Sequence, residues 1–169
     1  MGTARQTELI DALLSQLHDE EKALCEPLIR YLLELGYTPK KHKKSTFAVE
    51  FEKNGRIIAK METTGHGRLL VWLRFSASDT YSKVFHDAVK RRPEAWIKRN
   101  QEWVEHDVKN CCGLCKGWPR LYHHINDDGS RINRCGGYTI MIQGLAFADV
   151  PEALRLIKEQ DEYFTELLA

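Results

Sequence analysis

Thr46–Phe75 reads TFAVEFEKNGRIIAKMETTGHGRLLVWLRF, and its period of two decides the fold. Phe47, Val49 and Phe51 alternate with Ala48, Glu50 and Glu52, the pattern of a strand with one face buried and one face wet. Asn54-Gly55 follows, a dipeptide suited to a two-residue hairpin because both positions tolerate positive φ. Arg56–Glu62 then returns with Ile57, Ala59 and Met61 on one face, and the stretch from Thr63 to Gly67 makes a second turn. A third strand carries Leu69, Val71, Leu73 and Phe75 on one side and Leu70, Trp72 and Arg74 on the other. The expectation is a three-stranded antiparallel meander. Its third strand is apolar on both faces, so the outer face needs a cover or a ligand. The residues expected to bind are Trp72 and Arg74, with Glu50 and Lys60 on neighbouring strands.

Around this block the period changes to that of helices. Upstream, Leu9, Ile10, Leu13, Leu14, Leu17 and Leu24 recur at helical spacing, and Leu28, Ile29, Leu32 and Leu33 continue the stripe to a capping Gly36. Pro27 suits the first turn of a new helix, so two helices meeting near Cys25–Pro27 are predicted, with Cys25 as a small core residue. PKKHKK at 39–44 reads as a basic loop, or else as a contact for phosphate or an acidic partner. Downstream, Ser78-Asp79 predicts the N-cap of a helix through Lys90, with Tyr81, Val84, Phe85, Ala88 and Val89 inward. Pro93 opens another helix, whose Trp96 and Trp103 read as core on a stripe with Ile97, Val104 and Val108. Tyr138–Gln143 reads as a later strand. Asp149 with Glu152 resembles a capping box ahead of a closing helix bearing Val150, Leu154, Ile157, Phe164 and Leu168.

Segregated strands and helices make this an α+β chain. One domain over 1–169 is expected, in the order helical segment 1–36, β-meander 45–76, helices 78–110, cysteine-rich loop 111–137, and strand with C-terminal helix 138–169.

The loop carries the one recognisable chemical pattern. NCCGLCKGWPRLYHHINDDGSRINRCGG, residues 110–137, holds four of the five cysteines. Cys112 and Cys115 form a C-x-x-C step followed by Gly117, and Cys135 precedes Gly136-Gly137. Between them Asn126–Gly129 reads as a hairpin tip that brings the two ends back together. Thiolates converging in this way suit one tetrahedral zinc ion per chain, with backbone N–H groups of the turns directed at the sulfurs. The fourth ligand is Cys111, adjacent to the site, with His123 or His124 as the alternative. A structural zinc is expected rather than a catalytic one, because no open coordination position with an acid or base stands out. Idle reduced thiols or a Cys112–Cys115 redox pair are the competing readings.

Composition excludes more than it assigns. With 25 basic and 24 acidic side chains and 43% hydrophobic residues, the chain is neither strongly charged nor disordered in type. Neither a signal peptide nor a membrane span is read, which predicts a cytoplasmic protein with reduced thiols. No Gly-rich phosphate loop, nucleophile elbow or H-E-x-x-H helix is present. The leading expectation is therefore a binding or interaction module, not an enzyme, whose partner is a small molecule or a protein. One alternative is a nucleic-acid-binding zinc protein using Lys40, Lys41, Lys43, Lys44, Arg91, Arg92, Lys98 and Arg99. The other is a zinc-dependent hydrolase or deaminase-like enzyme using His123 or His124 with Asp127 or Asp128.

Overall fold

The computed structural model describes residues 4–43, 47–91, 120–129 and 131–168, and at 124 and 131–134 the backbone alone. Within these residues the order is α1 (Ala4–Leu14), α2 (Asp19–Glu34), β1 (Thr38–Lys41), β2 (Ala48–Lys53), β3 (Arg56–Thr63), β4 (Leu69–Leu73), α3 (Lys83–Lys90), β5 (Leu121–Ile125), β6 (Arg131–Cys135), β7 (Ile140–Ile142) and α4 (Val150–Glu166). The protein is α+β. Its main sheet has five antiparallel strands in the order β1-β2-β3-β4-β7, and β5-β6 is a separate hairpin.

The meander forms as its alternation requires except at a register shift opposite Phe51–Glu52, where Ile58 is buried in place of the expected Ile57. Asn54 takes φ 53° and Gly55 φ 76°, so both turn residues occupy the left-handed region that the dipeptide tolerates. The register sets Val49 opposite Met61, Phe51 opposite Ala59, Met61 opposite Val71 and Ala59 opposite Leu73. The later strand adds Ile142 opposite Val71 and Ile140 opposite Leu73. These side chains share one face, all are buried, and they join Leu13 from α1, Leu28 and Leu32 from α2 and Leu156 and Ile157 from α4 in one connected core. Cys25 sits fully buried in it, its Sγ 3.3 Å from Met61 Sδ. Burial, with the nearby Glu26 and Glu21 carboxylates, pushes the Cys25 thiol up to about 12.

Four local expectations are corrected. The helical break lies at 15–18, not at Cys25–Pro27. Ser15 Oγ and Gln16 Nε2 both donate to Ala12 O (3.1 and 2.9 Å), which draws the end of α1 into a turn. The acidic run Asp19-Glu20-Glu21 then begins α2, where it suits the positive end of the helix dipole. Pro27 falls inside α2. Its ring removes a bond to the carbonyl of Ala23, and Ala23 is exposed, so water can serve that oxygen.

The expected basic loop at 39–44 instead begins as β1, the edge strand. His42 N donates to Ala48 O, so the backbone groups of even-numbered residues here point at β2, and the nitrogen of the buried Pro39, which has no N–H to donate, points away from it. The cap expected at Ser78 sits at Ser82, because Ser78 Oγ turns back to donate to Thr80 O at 2.9 Å. The Asp149–Glu152 box does not form around α4. Asp149 Oδ2 accepts from Ala146 N at 2.8 Å, and Glu152 Oε1 reaches across to accept from Ser82 N at 2.7 Å, joining α4 to α3. The helix expected from Pro93, with Trp96 and Trp103, lies outside the described residues.

Candidate functional site

The outer face of the sheet follows from the same register as the core. Lys40 lies opposite Glu50, Glu50 opposite Lys60, Lys60 opposite Trp72 and Trp72 opposite Met141. Cross-strand partners share a face, so these five residues form one row across all five strands. Lys60 Nζ stands 4.1 Å from the centre of the Trp72 ring and 3.0 Å from Glu62 Oε2. Glu50 Oε1 is 2.7 Å from His42 Nδ1, and Lys40 Nζ donates to Glu52 Oε1 at 2.6 Å. The Lys60 and Glu62 side chains are only 16% and 15% exposed, so their pairing is far less screened than a surface ion pair. Trp72 Nε1 is buried without a hydrogen-bond partner among the described residues.

Three of the four expected binding residues are thus brought together: Glu50, Lys60 and Trp72. Arg74 is set apart by the geometry at the end of β4. Its N–H donates to Ile58 O at 2.7 Å, and its guanidinium lies 4.7 Å from the Phe164 ring of α4. The row offers an aromatic plane and paired charges, which together can hold a planar or amide-bearing group, and the indole N–H beside them is closed to solvent. His42 enters this face through its pairing with Glu50. Only the β1–β2 register reveals that, since eight residues of sequence separate the two.

The cysteine segment is described in its second half. The expected hairpin forms: β5 and β6 pair with Leu121 opposite Cys135, and the tip turns through Gly129 at φ 80° with Gly129 N donating to Asn126 O at 2.9 Å. Its base is tied to the core. Tyr122 is fully buried, accepts from Phe75 N at 3.2 Å and donates to Tyr138 O at 2.8 Å. Tyr81 OH donates to His123 O at 2.7 Å and accepts from His123 N at 3.3 Å, and burial raises the Tyr81 phenol above its ordinary range. Phe75 meets Tyr81, Phe85 and Tyr122 edge-on at centroid distances of 5.1, 5.4 and 4.8 Å. Cys135 Sγ accepts from Gly137 N at 3.4 Å.

Register also sorts the candidate ligands. Residues 121, 123 and 135 lie on one face of the hairpin, whereas His124 occupies the alternate position opposite Ile132. Asp127 and Asp128 lie at the tip, beyond Ile125. Cys135 lies at the base, four ladder steps from Ile125, and at about 3.4 Å per residue that is roughly 14 Å. Cys111, Cys112 and Cys115 lie outside the described residues. Among the described residues no group of three or more His, Cys, Asp or Glu side chains could hold a metal ion.

Among the described residues the basic side chains do not converge. Lys40 and Lys41 belong to β1, one edge of the sheet, while Arg91 caps the helix that packs on β7, the other edge. Lys40 is engaged with Glu52, and Lys41 Nζ lies 5.6 Å from the Phe47 ring. Lys44, Arg92, Lys98 and Arg99 lie outside the described residues. Among the described residues no helix is long and apolar enough to cross a membrane. No protein-family model, curated protein or solved structure matches the chain.

Proposed function

We propose that this protein is a binding module without catalysis of its own. Its ligand surface is the Glu50–Lys60–Trp72 row, with Arg74 at the margin. The observation that carries the reading is the Trp72 indole N–H, a buried donor with no partner among the described residues, beside a Lys–Glu pair held largely out of water. Such an unspent donor costs about 1–3 kcal/mol, a cost that a ligand carbonyl or carboxylate accepting from it would offset.

The same proposal gives the cysteine segment one structural zinc, held by Cys112, Cys115, Cys135 and a fourth ligand, Cys111 or a histidine. The N–H of Gly137 directed at Cys135 Sγ supports it, since such donors stabilise a metal-bound thiolate. The hairpin supports it too, because Leu121, six positions after Cys115, lies directly opposite Cys135. If a histidine completes the set, the register favours His123 over His124. The hydrolase reading lacks reach from Asp127 and Asp128 to Cys135, and the nucleic-acid reading has a sheet's width between Lys40 and Arg91, two of its described basic residues.

Two measurements test this. Elemental analysis and native mass spectrometry of protein purified without added metal should find one zinc per chain, lost in Cys135→Ser. An NMR fragment screen that reads the Trp72 indole proton, assigned with Trp72→Phe, should find carbonyl- or carboxylate-bearing planar compounds that move it. Hits that leave the Trp72 signal in place would remove the outer face as the site. A metal-free protein would remove the zinc.

A further inference from the structure

Independently of the outer face, the sheet leaves a gap in its own ladder. β4 runs over Leu69–Leu73, but β7 pairs with it only at residues 71, 72 and 73. Thr64 N donates to Arg68 O, and Arg74 N donates to Ile58 O, so even-numbered residues of β4 point their backbone groups at β3. The odd-numbered residues therefore point at β7. Val71 faces Ile142, and the next partner in the ladder, for Leu69, would be Gly144. Gly144 takes φ 72° instead, a left-handed turn that ends β7 and carries the chain away. The N–H and C=O of Leu69 are left without a strand partner among the described residues.

These two groups face a cleft of about 280 Å³. Its walls mix Leu24, Ile142 and Leu145 with Thr64 and Gln143, and its rim carries Glu21 and Arg68. Arg68 Nε is 3.8 Å from Glu21 Oε1, so the rim's acid and base offset each other. A cleft with a bare backbone edge, walls of mixed polarity and a balanced rim suits an uncharged amide backbone bearing an apolar side chain. It does not suit a free anion or cation.

We infer that this cleft receives a short extended peptide segment, which continues the sheet at Leu69 in the place Gly144 gives up. One residue of the peptide exchanges hydrogen bonds, through its own N–H and C=O, with the Leu69 C=O and N–H, and its apolar side chain packs against Leu24, Ile142 and Leu145. This is strand addition over a single residue pair, so side-chain burial supplies the affinity and the backbone pair supplies orientation.

The test is amide hydrogen exchange and chemical-shift mapping by NMR on the whole chain. The probe is acetyl-Leu-Leu-amide, alongside the same peptide N-methylated at its central amide, and free leucine. In the protein alone, the Leu69 amide should exchange much faster than those of Val71 and Leu73. The capped peptide should protect it and shift Leu69, Gly144 and Leu145 saturably. The N-methylated peptide should bind about tenfold more weakly, the cost of one hydrogen bond with its partner left unpaired. Equal binding by the N-methylated peptide would reduce the cleft to an apolar sink and overturn strand addition. Free leucine binding as well as the capped peptide would make it a small-molecule pocket, and a Leu69 amide already protected in the protein alone would mean that the edge is covered. Either result ends the proposal.

Discussion

Gly136 follows β6 and has no positive φ, so conformational freedom is not the reason for glycine there. Space is the reason. A Cβ built on Gly136 would lie 2.5 Å from Ser76 Oγ and 2.6 Å from Ser76 Cβ, and would overlap the Arg120 carbonyl oxygen. None of these atoms is free to yield. The Arg120 carbonyl is backbone entering β5. The Ser76 hydroxyl is buried and faces two acceptors, Gly136 O and Gln160 Oε1, each 3.3 Å away. Gln160 is itself fully buried and also accepts from Ala77 N at 3.0 Å.

Gly136→Ala must therefore shift the base of the hairpin or the start of β5. Forced overpacking of this kind costs about 1–3 kcal/mol. Disturbing the Ser76 hydroxyl adds about 0.5–1.5 kcal/mol. We expect a loss of roughly 2–4 kcal/mol in urea unfolding and a fall in Tm of roughly 5–15 °C for a chain of this size. Gly65→Ala is the control: Gly65 has no positive φ, and nothing lies within 4 Å of its added Cβ, so that change should be silent. Ser76→Ala should not rescue Gly136→Ala, since the obstructing Arg120 carbonyl is main chain. A Gly136→Ala protein as stable as the Gly65→Ala control would refute the reasoning.

Three further outcomes follow from the described contacts. Asp161 Oδ1 accepts from Tyr37 OH at 3.0 Å and Lys53 Nζ at 2.9 Å, so Asp161→Ala leaves a buried phenol without its acceptor and should cost about 1–3 kcal/mol in urea unfolding. Tyr37→Phe should cost less, about 1 kcal/mol, and the reverse order would contradict the assignment. The Cys25 thiol is held up to about 12 in the folded chain against an ordinary 9.0. Its contribution is full below the lower value, and above it the unfolded chain releases a proton that the folded chain keeps, so stability falls by up to about 1.4 kcal/mol per pH unit. Urea unfolding at pH 8 to 11 should show that fall less steeply in Cys25→Ala. Pro27→Ala restores a helical N–H toward the Ala23 carbonyl and should stabilise the chain by about 1–2 kcal/mol despite the freer unfolded state, a gain read from the urea midpoint. A loss there would mean that the ring's packing outweighs the missing bond.

What the sequence by itself determined was periodic or local. Alternation at 47–75 named the buried face of the meander except at Ile57–Ile58, Asn54-Gly55 placed its first turn, and Asn126–Gly129 placed the tip of the second hairpin, because each is set by neighbours a few residues apart. Trp72, Lys60 and Glu50 could be nominated together because two short turns fix their register. Local cues failed where other groups, near or far in the chain, competed for the same atoms. The carboxylate of Glu152 was taken by Ser82 N, Asp149 was drawn to Ala146, and the acidic start of α2 made Pro27 an interior residue. Tertiary structure alone decided that β1 exists, that Arg74 turns to Phe164, that Lys40 and Arg91 stand at opposite edges of the sheet, and that β7 stops two residues short of the partner Leu69 would have. Each of these depends on which strand lies beside which, and the energies that choose a neighbour are summed over contacts between residues far apart in the chain.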